Sequence, residues 1–216
     1  GRLLDALDAS PHRDNTILVL WADHGFHIGE KENWEKFALW DQTTRVPLFI
    51  HAPGLSRDGD RTRQPATLTD LYPTLCELAG LPVPAQCDGV SLVPQLKDPE
   101  APRKTLSLTS FQFWGESSPS HAVSDPRYRY IRYANGFEEL YDMEKDPNEF
   151  TNLAANPEDE RSSVFQKKHN IFHPKVRIRT CEEMKKHCSA ALFQPYYLKR
   201  SLYPLIPPKS AITSKV

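Results

Sequence analysis

The sequence predicts an α/β layer followed by a small antiparallel sheet. Three observations carry that prediction. A short apolar run, Leu18-Val19-Leu20-Trp21, ends abruptly in Ala22-Asp23-His24-Gly25. Such a run reads as a buried strand, with its polar residues at the C-terminal end, where open α/β sheets place their ligands. Leu71, Leu75 and Leu78 then recur at helical spacing within residues 69–79, the mark of a helix with one core-facing side. Residues 127–133 alternate Arg, Tyr and Ile, and Asn135-Gly136 follows before a second strand-like run at 139–143. Asn-Gly between two such runs is a hairpin signal of type I′.

Each element follows in order. Arg2-Leu3-Leu4-Asp5-Ala6-Leu7 reads as the end of a helix, and Asp14-Asn15 as the turn into the first strand. Residues 46–50 read as a second short strand, with Pro47 near its start, where a missing N–H is tolerable. The helix over 69–79 takes Thr69 as its N-cap and Gly80 as its stop. The proline-rich residues 81–102 read as an irregular crossover. Tyr128, Arg129, Tyr130 and Arg132 imitate a nucleic-acid-binding face, but two faces of an amphipathic strand explain them better, and no nucleic-acid partner is expected. Asp146-Pro147-Asn148-Glu149 reads as the N-cap, N1 and N3 positions of a short helix.

The division is therefore 1–102 for the α/β part, 103–160 for the small antiparallel part and 161–216 for a basic tail. The formal net charge of −1 hides a break at that last boundary. Residues 1–160 carry a net charge of −11 and residues 161–216 one of +10, which marks segments of different character. The tail is read as a divergent extension, a disordered arm or the product of a shifted reading frame. Its Cys181 and Cys188 are spaced Cys-x6-Cys, which does not suit a zinc knuckle. No apolar run is long enough for a membrane span.

The chemistry gathers around the first strand. Asp23 and His24 offer a carboxylate oxygen and an imidazole nitrogen to one divalent cation, and Gly25 allows a sharp backbone turn beside them. Residues 26–37 are too polar for a core strand and too aromatic for a solvated linker, which suits a loop bordering a polar pocket. Lys36, between Trp34 and Phe37, is the candidate cation for an anionic substrate, its stem pinned against rings. Lys31 reads as a solvated surface charge. Arg45 either binds a ligand anion or, as preferred, pairs with a carboxylate such as Asp41.

Together, Asp23-His24-Gly25, Gly29-Glu30-Lys31, Trp34, Lys36 and Thr44-Arg45-Val46-Pro47 resemble the sulfatase family of the alkaline-phosphatase-like superfamily. The likeness is closest to the iduronate-2-sulfatase and choline-sulfatase branch. Glu139-Leu140-Tyr141-Asp142-Met143, Asp146-Pro147-Asn148-Glu149 and Asn152-Leu153-Ala154 are similar to the C-terminal subdomain of bacterial sulfatases. The resemblance runs to about residue 160. It implies part of a sulfatase-type mixed-sheet α/β sandwich followed by that small subdomain.

The resemblance also implies a divalent metal, calcium first, with magnesium or manganese as alternatives. Asp23 and His24 would be two of its ligands. Lys36 would contact a sulfate oxygen and stabilise charge as the sulfur–oxygen bond breaks. The implied nucleophile is a formylglycine made from a Cys or Ser in Cys/Ser-x-Pro-x-Arg. Here the sequence departs from the family: Cys76, Cys87, Cys181 and Cys188 all lie in other contexts, and the paired aspartates of the family's first strand are missing. The chain reads as the C-terminal part of a larger enzyme. Its nucleophile would come from a missing N-terminal half, and the isolated chain would be inactive. The substrate would be a sulfated small molecule or glycan. Two other functions compete: a phosphodiesterase or phosphonate hydrolase of the same superfamily, and a non-catalytic module whose basic tail binds acidic partners.

Overall fold

In the computed structural model, which describes residues 1–113, 115, 118–156 and 158–169, the chain opens with helix α1 (Arg2–Asp8). A single 3-10 turn, Arg13–Asn15, leads into strand β1 (Leu18–Trp21). A long loop and the one-turn helix α2 (Asp41–Thr44) bring the chain to strand β2 (Leu48–His51). The two strands pair antiparallel as a ribbon, with Val19 opposite Ile50 and Leu20 opposite Phe49. The strand predicted to be buried is only half covered. Leu20, Trp21 and Phe49 are each more than half exposed. Helix α1 faces β1 across an apolar hollow of about 370 Å³. A two-stranded ribbon has no second layer of its own, so its apolar residues stay in view.

Helix α3 (Leu71–Leu78) forms where the leucine spacing predicts it, but it starts differently. Its N-cap is Asp70, the last residue of a 3-10 turn that Thr67, and not Thr69, caps. Thr67 and Asp70 form a reciprocal capping box over the 3-10 turn Leu68–Asp70, with the Thr67 N–H donating to Asp70 Oδ2 at 2.8 Å. Gly80 ends the helix at φ +66°, where a side chain would be strained. Leu71 is buried, but Leu75 is 40% exposed. The buried side of the helix runs through Leu71, Thr74 and Cys76, because a polar network claims it. Thr74 Oγ1 accepts from Leu92 N–H at 2.8 Å, and Asp70 Oδ1 accepts from Val90 N–H at 2.8 Å. Arg103 Nη2 donates to Asp70 Oδ2 at 2.9 Å. The predicted crossover is irregular apart from helix α4 (Val93–Lys97).

The second sheet is a four-stranded antiparallel meander in the order β3 (Ser107–Phe111), β4 (Ser120–Ser124), β5 (Tyr128–Arg132), β6 (Glu138–Asp142). The β5–β6 hairpin turns at Asn135-Gly136 as predicted, but not in type I′. Only Gly136 has positive φ, +87°, and Asn135 does not. The Gly136 N–H donates to Tyr133 O at 2.9 Å, and the Tyr133 N–H to Phe137 O at 2.9 Å. This is a three-residue loop, a type I turn closed by a glycine bulge. Strand β5 is buried on both faces, so the amphipathic reading is corrected. One face packs Ile131 with Leu39, Ala122 and Tyr141; the other packs Tyr130 with Leu140 and Phe165.

Residues 146–149 form a turn, not a helix. Glu149 has φ +59° and a buried side chain that pairs with Arg129, so it is drawn into the core and away from the capping position. Helix α5 (Arg161–His169) lies inside the segment read as a tail, and its Phe165 is 4% exposed against Tyr130. Cys181, Cys188 and the rest of the tail lie outside the described residues. Among the described residues no helix is long and apolar enough to cross a membrane.

Candidate functional site

Asp23 and His24 leave the end of β1 side by side. Asp23 Oδ1 accepts from the His24 N–H at 3.0 Å, and Oδ2 stands 3.6 Å from His24 Nε2. His24 Nδ1 lies 2.7 Å from Gly25 O. That carbonyl can only accept, so Nδ1 carries the proton and Nε2 keeps its lone pair. Lys36 Nζ reaches the same nitrogen at 3.1 Å. The three residues singled out in the sequence therefore converge. One hard oxygen and one imidazole lone pair face a common space, with an ammonium beside them. Among the described residues no group of three or more His, Cys, Asp or Glu side chains could hold a metal ion, so Asp23 and His24 stand there as a pair.

Gly25 serves close approach and not a sharp turn. Its N–H donates to Thr43 O at 2.8 Å, and a Cβ built there would stand 1.9 Å from Gln42 O. Only glycine lets the Asp-His pair dock against α2 so tightly. Arg45 takes its preferred role, with Nη1 3.6 Å from Asp41 Oδ2. Of the two rings flanking Lys36, Phe37 lies 5.8 Å from Nζ, while the Trp34 indole sits over Gly29.

The loop between His24 and Lys36 is held in an uncommon conformation. Gly29, Lys31 and Glu32 all have positive φ, at 127°, 53° and 58°. Two consecutive left-handed residues other than glycine need support from their surroundings. Glu30 supplies part of it: its Oε2 accepts from the Ile28 N–H at 2.8 Å, a bond that holds the carboxyl below its ordinary pKa. Lys31 supplies the rest and is not the solvated charge the sequence suggests. The left-handed backbone turns it inward, where Nζ lies 4.5 Å from the Trp40 ring and 4.8 Å from the Tyr141 ring. It donates to Tyr141 Oη at 3.3 Å and to Glu149 O. His27 is fully buried edge-on to Trp40, and burial holds its pKa down, so it stays neutral.

Beneath the loop lies a buried polar network that sequence reasoning missed. Arg129 donates from Nε to Leu39 O at 3.0 Å, from Nη1 to Ser124 Oγ at 2.8 Å and from Nη2 to Thr44 Oγ1 at 2.7 Å. Its Nε stands 3.3 Å from Glu149 Oε1, and Glu149 Oε2 accepts from the Asp41 N–H at 2.8 Å. Burial outweighs the nearby guanidinium and pushes the Glu149 carboxyl up to about 7. Glu139 accepts from Trp40 Nε1 at 2.8 Å and Tyr141 Oη at 3.0 Å. Burial raises the Tyr133 and Tyr141 phenols, with Glu139 adding to the effect. A charged strand residue among alternating tyrosines was the available signal, because an arginine enclosed on both sides requires acceptors.

Comparison with known proteins gives the family. Residues 29–173 match the family described as N-sulphoglucosamine sulphohydrolase, C-terminal, a span that continues past residue 160 through α5. A Δ4,5-hexuronate-2-O-sulfatase of Bacteroides thetaiotaomicron is 39% identical over 72% of this chain and 34% of its own length. Among solved structures, a 2-O GAG sulfatase is 31% identical with a TM-score of 0.62, covering 82% of this chain and 42% of that one. The phosphonate monoester hydrolase of Agrobacterium radiobacter is 29% identical with a TM-score of 0.64, covering 78% and 37%. The chain spans little more than a third of the length of the curated relatives it matches. The mixed α/β architecture with antiparallel sheets is that of these structures, and the chain belongs to the sulfatase family.

Proposed function

We propose that this chain contributes one wall of the active site of a sulfuric-ester hydrolase acting on 2-O-sulfated uronates, as in the iduronate-2-sulfatase branch. The carrying observation is the convergence of Asp23, His24 and Lys36 on His24 Nε2. The donor set fits a divalent cation, calcium first: a carboxylate oxygen is a hard ligand, and Nε2 has its lone pair free of a proton. When bound, the cation supplies positive charge against the sulfate oxygens. Asp23 and His24 would hold it, and Lys36 Nζ would then leave Nε2 for a sulfate oxygen. A fixed ammonium there stabilises the charge that develops as the ester bond breaks. The remaining ligands and the formylglycine nucleophile would come from an N-terminal half of the same enzyme. The exposed apolar faces of Leu20, Trp21 and Phe49 on the β1–β2 ribbon support that reading, since they call for cover.

The test is hydrolysis of an aryl sulfate and of a 2-O-sulfated uronate by the full-length enzyme with calcium. Lys36→Ala should lower kcat by about 100-fold, the scale of losing one oxyanion contact. Unchanged turnover would remove Lys36 from the site. Phosphonate ester hydrolysis is the second reading, favoured by the likeness to the phosphonate monoester hydrolase. A phosphonate monoester assayed in parallel separates the two: the preferred reading requires the higher kcat/KM for the sulfate.

A further inference from the structure

We propose that Lys31 is a positioning residue for the reaction: clasped by the small sheet, its ammonium fixes the tip of the loop 26–37 and thereby sets where Lys36 stands. The proposal rests on the sulfatase reading, because Lys36 is the group being positioned. Lys36 is exposed, and an ammonium on a flexible four-carbon stem has no fixed place of its own. Its station 3.1 Å from His24 Nε2 must be imposed by the backbone that carries it.

That backbone folds back on itself as two legs. The His27 N–H donates to Glu35 O at 3.1 Å, and the Gly29 N–H to Asn33 O at 3.0 Å. The Trp34 indole closes over Gly29, where an added Cβ would stand 3.2 Å from the ring. The legs are anchored unequally. The first starts at Gly25, whose N–H donates to Thr43 O at 2.8 Å, so His24 is held from α2 without help from the tip. Among the described residues the backbone bonds of 33–36 stay within the loop. Lys36 follows directly on Glu35, and beyond it the Phe37 ring stacks on Phe111 at 5.7 Å. The lysine thus hangs between that stack and the two-legged ladder. Movement of the tip reaches Lys36 and spares His24.

The tip is where the small sheet takes hold. Lys31 and Glu32 are left-handed, at φ 53° and 58°, a conformation that residues with a side chain keep only under constraint. The constraint is the Lys31 ammonium, set between the Trp40 and Tyr141 rings at 4.5 and 4.8 Å and donating to Tyr141 Oη and Glu149 O. Two aromatic faces and two oxygens hold a half-buried cation far better than water holds an exposed one. Neither acceptor is loose. Tyr141 Oη donates to Glu139 Oε2 at 3.0 Å, and the Glu149 side chain is buried 3.3 Å from Arg129 Nε. The clasp therefore transmits the rigidity of the buried network to the loop above it.

The experiment is a double-mutant cycle in kcat, with full-length enzyme, calcium and a saturating aryl sulfate. Lys31→Met keeps an apolar stem between the rings and removes the donors. It should lower kcat by about tenfold, because a displaced group still contributes in part. In the Lys36→Ala background the same change should cost nothing more, since no ammonium is left to place. A lysine that served stability alone would cost the same factor in both backgrounds. Tyr141→Phe keeps the ring and removes one acceptor. It should repeat the pattern with a smaller loss, and it carries the cycle if Lys31→Met does not fold. Equal losses in both backgrounds, or an unchanged kcat in folded Lys31→Met enzyme, would overturn the proposal. Failure of the underlying reading looks different: the wild type then hydrolyses no sulfate ester. The cycle then runs on a phosphonate monoester, and if that too is inert, amide hydrogen exchange decides. Faster exchange at His27 and Gly29 in Lys31→Met, with Gly25 unchanged, sustains the clasp. Unchanged exchange at all three overturns it.

Discussion

Glu149→Gln offers a sharp test of the buried network, because two plausible effects predict opposite results. The Glu149 side chain is almost fully buried, 3.3 Å from Arg129, with one oxygen accepting from the Asp41 N–H. If the ion pair dominated, removing the carboxylate would cost most at high pH, where the carboxylate is ionised. The structure points the other way. Burial is the largest influence and raises the carboxyl from 4.5 to about 7. A raised folded pKa means that the folded state holds the proton more tightly. The stability it contributes is complete below about 4.5 and is lost as pH rises through about 7. A displacement from 4.5 to about 7 corresponds to about 3 kcal/mol. Glutamine keeps an acceptor for Asp41 but cannot ionise, so the variant should lack this dependence. Asp142 and Glu30, whose carboxyls are held low by hydrogen bonds, impose the opposite slope at lower pH. The quantity to measure is therefore the wild-type change in urea-unfolding free energy between pH 5 and pH 8, minus that of the variant. A wild type that loses 2–3 kcal/mol more than Glu149→Gln over this interval agrees with the argument. A gap that is constant with pH, or that widens in favour of the wild type at pH 8, refutes it.

Two further substitutions probe the scaffold. Asp70→Ala removes the partner of Arg103 and half of the capping box, with both side chains of the pair under 5% exposed. Urea denaturation should show a loss of about 3–5 kcal/mol, and a loss below 1 kcal/mol would show the pair to be dispensable. Gly25→Ala puts a methyl 1.9 Å from Gln42 O, so the backbone must move at a cost of about 1–3 kcal/mol or more. A lowered Tm with weakened turnover of the full-length enzyme is expected. An unchanged Tm would mean that the docking of Gly25 on α2 is not tight in solution.

Much of this was legible because it depends on local pattern. The apolar run, the leucine spacing and the alternating Arg-Tyr-Ile residues each report their own periodicity, and β1, α3 and β5 form where they lie. Asp23, His24 and Lys36 could be grouped because a strand end and one loop hold all three within 14 residues. What escaped depends on distant partners. The burial of Glu149 requires Arg129 and Asp41, and nothing within residues 146–149 distinguishes that fate from a helix cap. Lys31 looks solvated until Trp40 and Tyr141 are placed around it. Leu75 matches the helical period but stays 40% exposed, since the polar network of Asp70, Thr74 and Arg103 sets which side of α3 is inside. The turn at Gly136 was located from its dipeptide, yet its type was decided by where Tyr133 and Phe137 pair.

The cage around Lys31 also sets an order of events. Its contacts lie 110 residues away at Tyr141 and 118 away at Glu149. Closing so long a loop must precede any reward from the contacts made there. The left-handed pair Lys31-Glu32 has Trp40 and Glu30 close by in sequence, but it gains its distant supports only once β6 and the turn after it exist. During synthesis the ribosome must complete residue 149 before the cage around Lys31 can close. The loop from residue 26 to residue 37 therefore waits on chain made more than a hundred residues after it.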